Sequence, residues 1–248
     1  MPGWVSALAL GVGLLAGHIA IYGIPQYPPR EPGPRLFYLI AAASVLGLLE
    51  TAWRAPLAMR WGMRVALTGT TVWLLLRPVM DLDSTRAMVW PLALTVALLG
   101  AWWSIDALVA RAQGPSLPLA LLVTLACAAP TLLLSGSVRF AQLGGALATA
   151  LVVFAFAAWL WPEMTLTGAT AVFVIAYYGL ILCGRFYAYL PTSSSLLLAV
   201  APPAAWAGEL RWVRRAAWAP PLVRVLAAAI PAAAALVIVL RESDLSAY

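Results

Sequence analysis

AQLGGALATALVVFAFAAWLW, residues Ala141–Trp161, runs for 21 positions without a charged side chain. A helix of about 20 apolar residues crosses roughly 30 Å of hydrocarbon, so this stretch has the length of one membrane span. Similar runs lie on both sides of it. Before it come Trp4–Tyr22, Leu36–Trp53, Val65–Val79, Met88–Ala110 and Leu117–Leu134; after it come Leu166–Gly184, Leu196–Ala207 and Leu222–Leu240. The eighth run is short and contains Pro202-Pro203. It spans the bilayer only if flanking residues join it, and otherwise it forms a re-entrant or broken helix packed against protein. The expected fold is therefore all-α: a polytopic transmembrane helical bundle of about nine spans, or eight if the Pro202-Pro203 segment is re-entrant.

Composition supports this class. Of the 248 residues, 64% are hydrophobic and 10% charged, whereas a soluble domain is about half apolar and a quarter charged. Too few polar residues remain to coat a soluble surface. Nine spans consume nearly the whole chain, so residues 1–248 are expected to form a single integral membrane domain with no separate soluble part. No arginine precedes Arg30, so the first run reads as a retained span rather than a cleaved signal.

All the basic residues are arginines, and they sit at the ends of apolar runs. Arg54, Arg60 and Arg64 fall in the second connection and Arg211, Arg214 and Arg215 in the eighth. These six are the expected partners of anionic lipid headgroups, and nucleic acid is not an expected partner. By the positive-inside rule, both connections face the cytoplasm, placing the N-terminus inside and the C-terminus outside if there are nine spans. The expected location is a bacterial cytoplasmic membrane. Tryptophans such as Trp53, Trp61, Trp102, Trp103, Trp206 and Trp212 then gather toward the inner face, and Tyr22, Tyr27, Tyr38, Tyr187 and Tyr189 toward the outer one, as interfacial aromatic belts do. The proline-rich connection Pro25–Pro34 reads as an extended outer strap, and Arg211–Trp218 as an interfacial helix.

Ionisable residues inside a membrane are costly, about 2.5–3.5 kcal/mol each on insertion scales, so each is a candidate for function. Glu50 and Arg54 are spaced i,i+4 and can pair on one helix face, with Asp106 near the same end of the bundle. His18 and Arg77 occupy the other end. Glu50, Arg54, Asp106, His18 and Arg77 are the candidate substrate- or ion-pathway residues; the plainer alternative is interfacial pairing that fixes helix register. Asp81 and Asp83 form a DxD, the candidate metal ligands, for which oxygen donors suit Mg²⁺ or Mn²⁺. An ordinary acidic loop is the plainer account of that pair. No other cofactor is expected.

Cys127 and Cys183 lie inside apolar runs and read as packing residues. Gly13-x-x-x-Gly17 and Gly144-Gly145 read as close-approach points between helices. Leu67-Thr68-Gly69-Thr70-Thr71 resembles Leu166-Thr167-Gly168-Ala169-Thr170, which is chance in such a composition or else the trace of a four-span repeat. No phosphate-binding GxxxxGK[ST], HExxH or GxSxG is present. Three functions remain: a small-solute or ion permease without its own ATPase; a non-catalytic subunit that assembles partner membrane proteins; and an enzyme acting on a lipid-linked substrate through Asp81 and Asp83.

Overall fold

The structure, a computed structural model, describes residues 3–29, 31–53, 56–80, 89–112, 114–161, 166–216 and 218–245. Among the described residues the chain is helical, without strands: α1 (Gly3–Tyr22), α2 (Pro32–Ala52), α3 (Leu57–Met80), α4 (Val89–Val109), α5 (Ser116–Leu134), α6 (Val138–Leu160), α7 (Ala169–Tyr187), α8 (Thr192–Ala204) and α9 (Ala219–Leu245). Seven of these helices are long and apolar enough to cross a membrane, in agreement with a helical integral membrane protein. The other two are α3, made more polar by Arg60, Arg64 and Arg77, and α8, which has 13 residues.

Helix α7 is the axis of the bundle, packing against α1, α2, α3, α4, α6 and α8. Every residue from Ala169 to Gly184 is buried. Two glycines permit this closeness: a Cβ on Gly179 would sit 2.6 Å from Leu36 Cδ1, and one on Gly184 would overlap Leu132. The ring around α7 is loosest where α4 meets α8. Helix α4 buries Leu98, Trp102, Ile105, Leu108 and Val109 and nothing before them, so it is anchored at its C-terminal half and stands off at its N-terminal half.

Several interior prolines have their lost hydrogen bonds replaced from neighbouring helices. Pro202 and Pro203 have no N–H, which leaves the carbonyls of Leu198 and Ala199 without helical donors. The Tyr177 hydroxyl donates to Leu198 O at 2.7 Å and the Tyr178 hydroxyl to Ala199 O at 3.0 Å. Two consecutive tyrosines on α7 thus answer two consecutive prolines on α8. Pro78 orphans Leu74 O in the same way, and Arg35 Nη1 donates to it at 2.8 Å, while the Tyr187 hydroxyl donates to Leu75 O at 2.6 Å. In hydrocarbon such carbonyls have no water to turn to.

The eighth run begins earlier than its apolar residues suggest, because the polar turn Thr192–Ser195 is helical. With the 3-10 segment Ala205–Glu209 it runs antiparallel to α9: Ser194 donates to Ala235 O at 3.1 Å near one end, and Gly208 lies against Pro220 and Arg224 near the other.

Four expectations are corrected. Helix α2 starts at Pro32, shortening the proline strap, because proline is tolerated in a first turn. Arg211–Trp218 is not a regular helix; it holds one 3-10 turn, Val213–Arg215, pinned by the buried Val213, with Trp212 and Trp218 exposed. In α1 the close approaches are at Gly11, against Ser44, and Gly17, 3.0 Å from Ala146 Cβ when given a Cβ, whereas Gly13 faces open space; Gly144 packs on Ala129 and Gly145 on nothing. The Leu67–Thr71 and Leu166–Thr170 segments are not equivalent, since the first lies inside α3 and the second forms the turn into α7 around Gly168, at φ +89°. That turn is wedged between α1 and α2: a Cβ on Gly168 would lie 2.7 Å from Gly3 O and 3.2 Å from Gly47 O.

Candidate functional site

Arg64 of α3 gathers charge from three helices. Its Nε donates to Glu50 Oε1 at 2.7 Å and its Nη2 to Glu50 Oε2 at 2.8 Å, a bidentate pair with the end of α2. The third nitrogen, Nη1, lies 2.6 Å from Asp106 Oδ2 near the end of α4. The rings of Trp61 and Trp102 flank the guanidinium, at 5.5 and 5.2 Å from its carbon. Thr170, in the first turn of α7, lies beside Asp106, which places that carboxylate near a helix N-terminus.

Both carboxylate oxygens of Glu50 engage Arg64, whose fork matches a carboxylate bidentately; Arg54, the partner expected from i,i+4 spacing, lies outside the described residues. Arg64 is 7% exposed. The side chains of Glu50 and Arg64 are 6% and 8% exposed, but that of Asp106 is 28% exposed. Among the described residues two carboxylates face one guanidinium, and Asp106 is the more open of the two.

A second buried ion cluster went unread in the sequence. Arg224 of α9 pairs with Glu209 at 2.5 Å and donates to the Ser116 hydroxyl at the start of α5. The signal was present: an arginine one turn inside the last span and an acid ending the eighth run, facing each other across a helical hairpin.

At the other end of the bundle, His18 is fully buried, with Nε2 2.9 Å from Gly33 O, stacked on Tyr22 and edge-on to Phe37. That is a packing environment. Arg77 is exposed near the end of α3. Asp81 and Asp83 lie outside the described residues.

A separate concavity lies elsewhere. Between α4 on one side and α7 and α8 on the other runs a groove of about 700 Å³, walled by Leu94, Ala97, Ala101, Leu196, Ala199 and Val200 among others. From Trp90 at one end to Ser104 at the other it follows α4 for about 21 Å, at 1.5 Å per residue. At the Ser104 end the Ser104 hydroxyl accepts from Trp206 Nε1 at 2.7 Å. At the Trp90 end lie Arg185, Thr192 and Ser195. Glu50, Asp106, His18 and Arg77 do not line it. The groove exists because α4 buries nothing before Leu98, a property of packing that no motif announces. No protein-family model matches the chain, and no curated protein or solved structure shows significant similarity to it.

Proposed function

We propose that this membrane protein is a permease for an amphipathic, bilayer-dissolved molecule, which enters sideways between α4 and α8. The observation that carries this reading is the apolar groove, which falls within the size range of small-molecule sites. Its long walls are mostly hydrocarbon, the Tyr178 hydroxyl midway being taken up by Ala199 O, and Arg185, Thr192, Ser195 and Ser104 stand at the ends, so a long apolar body suits it and a hydrated ion does not. The half-anchored α4 is the element whose movement would open and close it.

A fluorescent phosphatidylcholine bearing an NBD group tests the binding step. The purified protein in mild detergent binds it saturably, and Ala97→Trp or Ala199→Trp, from opposite walls, weakens binding about tenfold, the scale of one overpacked side chain. Val12→Trp, on an exposed face of α1, leaves binding unchanged. Equal binding by wild type and both groove variants, with melting temperatures preserved, would refute the reading. Transport is tested by dithionite reduction of the same lipid in proteoliposomes, where a permease exposes inner-leaflet probe to the reductant.

A second reading, coupling to protons or cations, is favoured by the partial exposure of Asp106, an acid held between helices beside Arg64. It predicts that Asp106→Asn, which keeps the shape and removes the charge, slows probe exchange while the protein still folds; an unchanged rate would remove its support. The proposed setting is a bacterial cytoplasmic membrane with the Arg64 end inside. A cysteine at Met59, in a background without Cys127 and Cys183, is then labelled by an impermeant maleimide from the cytoplasmic side alone. The subunit and lipid-linked-enzyme readings draw no specific support from the geometry.

A further inference from the structure

We infer that the groove selects an amphiphile with an anionic head, held by Arg185, with its apolar chain directed along α4 and α8 toward Ser104. This deepens, and rests on, the reading of the groove as an amphiphile site. Arg185 occupies a boundary. It lines the Trp90 end of the apolar groove and also a second recess of about 490 Å³, formed with Phe186, Tyr187 and Tyr189. One concavity is long and apolar, the other is aromatic and polar, and a single guanidinium stands between them.

Three hydroxyls of the groove are already engaged. The Tyr178 hydroxyl donates to Ala199 O, the Ser195 hydroxyl donates to Thr192 O at 2.8 Å, and the Ser104 hydroxyl accepts from Trp206. Among the described residues no Asp or Glu lines either concavity, so the charge these walls supply is the positive one of Arg185. A guanidinium offers several donors in a planar fork suited to phosphate oxygens. Its place in the last turn of α7 also favours a cation there on dipole grounds alone. The dipole accounts for the charge but not for its position at the mouth of an apolar groove. Charge at one end and hydrocarbon along the length match one occupant, a lipid-like molecule with a phosphate or other anionic head.

The test compares two NBD lipids with identical chains, phosphatidylglycerol and phosphatidylcholine, binding to the delipidated full-length protein in a neutral detergent. Wild type is expected to bind phosphatidylglycerol about tenfold more tightly, the scale of one charge-assisted hydrogen bond. Arg185→Gln should remove most of that preference by weakening phosphatidylglycerol binding about tenfold and phosphatidylcholine binding less, because the choline cation offsets the phosphate that both heads carry, and Arg185→Lys should retain more of it. Because Arg185 is exposed, these variants are expected to melt as wild type does. If wild type binds both lipids equally, the head-group inference falls and the amphiphile reading stands. If Arg185→Gln keeps the full preference, Arg185 is not the anchor and the inference is overturned. If neither lipid binds, both ideas fall together.

Discussion

Arg64→Met is expected to destabilise the protein by about 3–5 kcal/mol, the cost of breaking a buried ion pair by removing one partner. The loss is not mainly that of attraction. Glu50 and Asp106 have side chains 6% and 28% exposed; without the guanidinium Glu50 either holds a buried charge without Arg64 or takes up a proton, both at a cost, while Asp106 is partly relieved by water. The triple variant Arg64→Met, Glu50→Gln, Asp106→Asn removes all three charges and should recover most of the loss, since neutral packing replaces a buried ionic cluster at little net cost. Thermal unfolding in detergent measures both. Arg64→Lys should fall between them, because an ammonium cannot bridge Glu50 bidentately and reach Asp106 with the same fork. A single variant Arg64→Met that melts like wild type would show that the cluster is solvated and that the bundle does not depend on it.

The paired tyrosines give the second large effect. Tyr177→Phe leaves Leu198 O without a donor in a buried site, at about 1–3 kcal/mol, and Tyr178→Phe does the same to Ala199 O, somewhat less because Tyr178 is 7% exposed against 1% for Tyr177. Interhelical hydrogen bonds in membranes average only about 0.6 kcal/mol, because a membrane-inserted but unpacked helix finds other partners. A carbonyl orphaned by proline has no helical donor even then, so the upper part of the range applies here. The decisive measurement is a double-mutant cycle. Pro202→Ala restores the N–H that would bond to Leu198 O, so Tyr177→Phe should cost much less in that background. An equal cost in both backgrounds would mean that the tyrosine contributes packing and not a replacement hydrogen bond.

The candidate site was legible only in pieces. Glu50, Arg64 and Asp106 stand out in the sequence because charges are rare in so apolar a chain and these fall near the same ends of successive helices. The pairing among them was not legible. Spacing along one helix favoured Arg54, since i,i+4 is the one geometry that sequence alone specifies, whereas Arg64 reaches Glu50 across an interface between helices. Arg224 and Glu209 were missed for the same reason: their contact is across a hairpin whose closure depends on Gly208 admitting the start of α9, a Cβ there falling 2.8 Å from Pro220 O. The groove had no sequence signature at all. Its walls are Leu, Ala, Val and Ile, the same residues that face lipid everywhere else.

By itself, the sequence determined the class and the order of the helices, while several limits moved: α3 starts at Leu57 and not Val65, and α9 runs on to Leu245. Hydrocarbon tolerates only backbones that satisfy their own hydrogen bonds, so each long apolar run has to be a helix. Only the tertiary structure decided which helix is central, which faces are covered and where a cavity remains. In water, an apolar stripe marks the buried face; in a bilayer, the lipid-facing and protein-facing sides are equally apolar, and periodicity loses its meaning. What distinguishes α7 from its neighbours is small residues at contacts and hydroxyls aimed at proline-orphaned carbonyls. Those are relations between helices, and they exist only once the helices are packed.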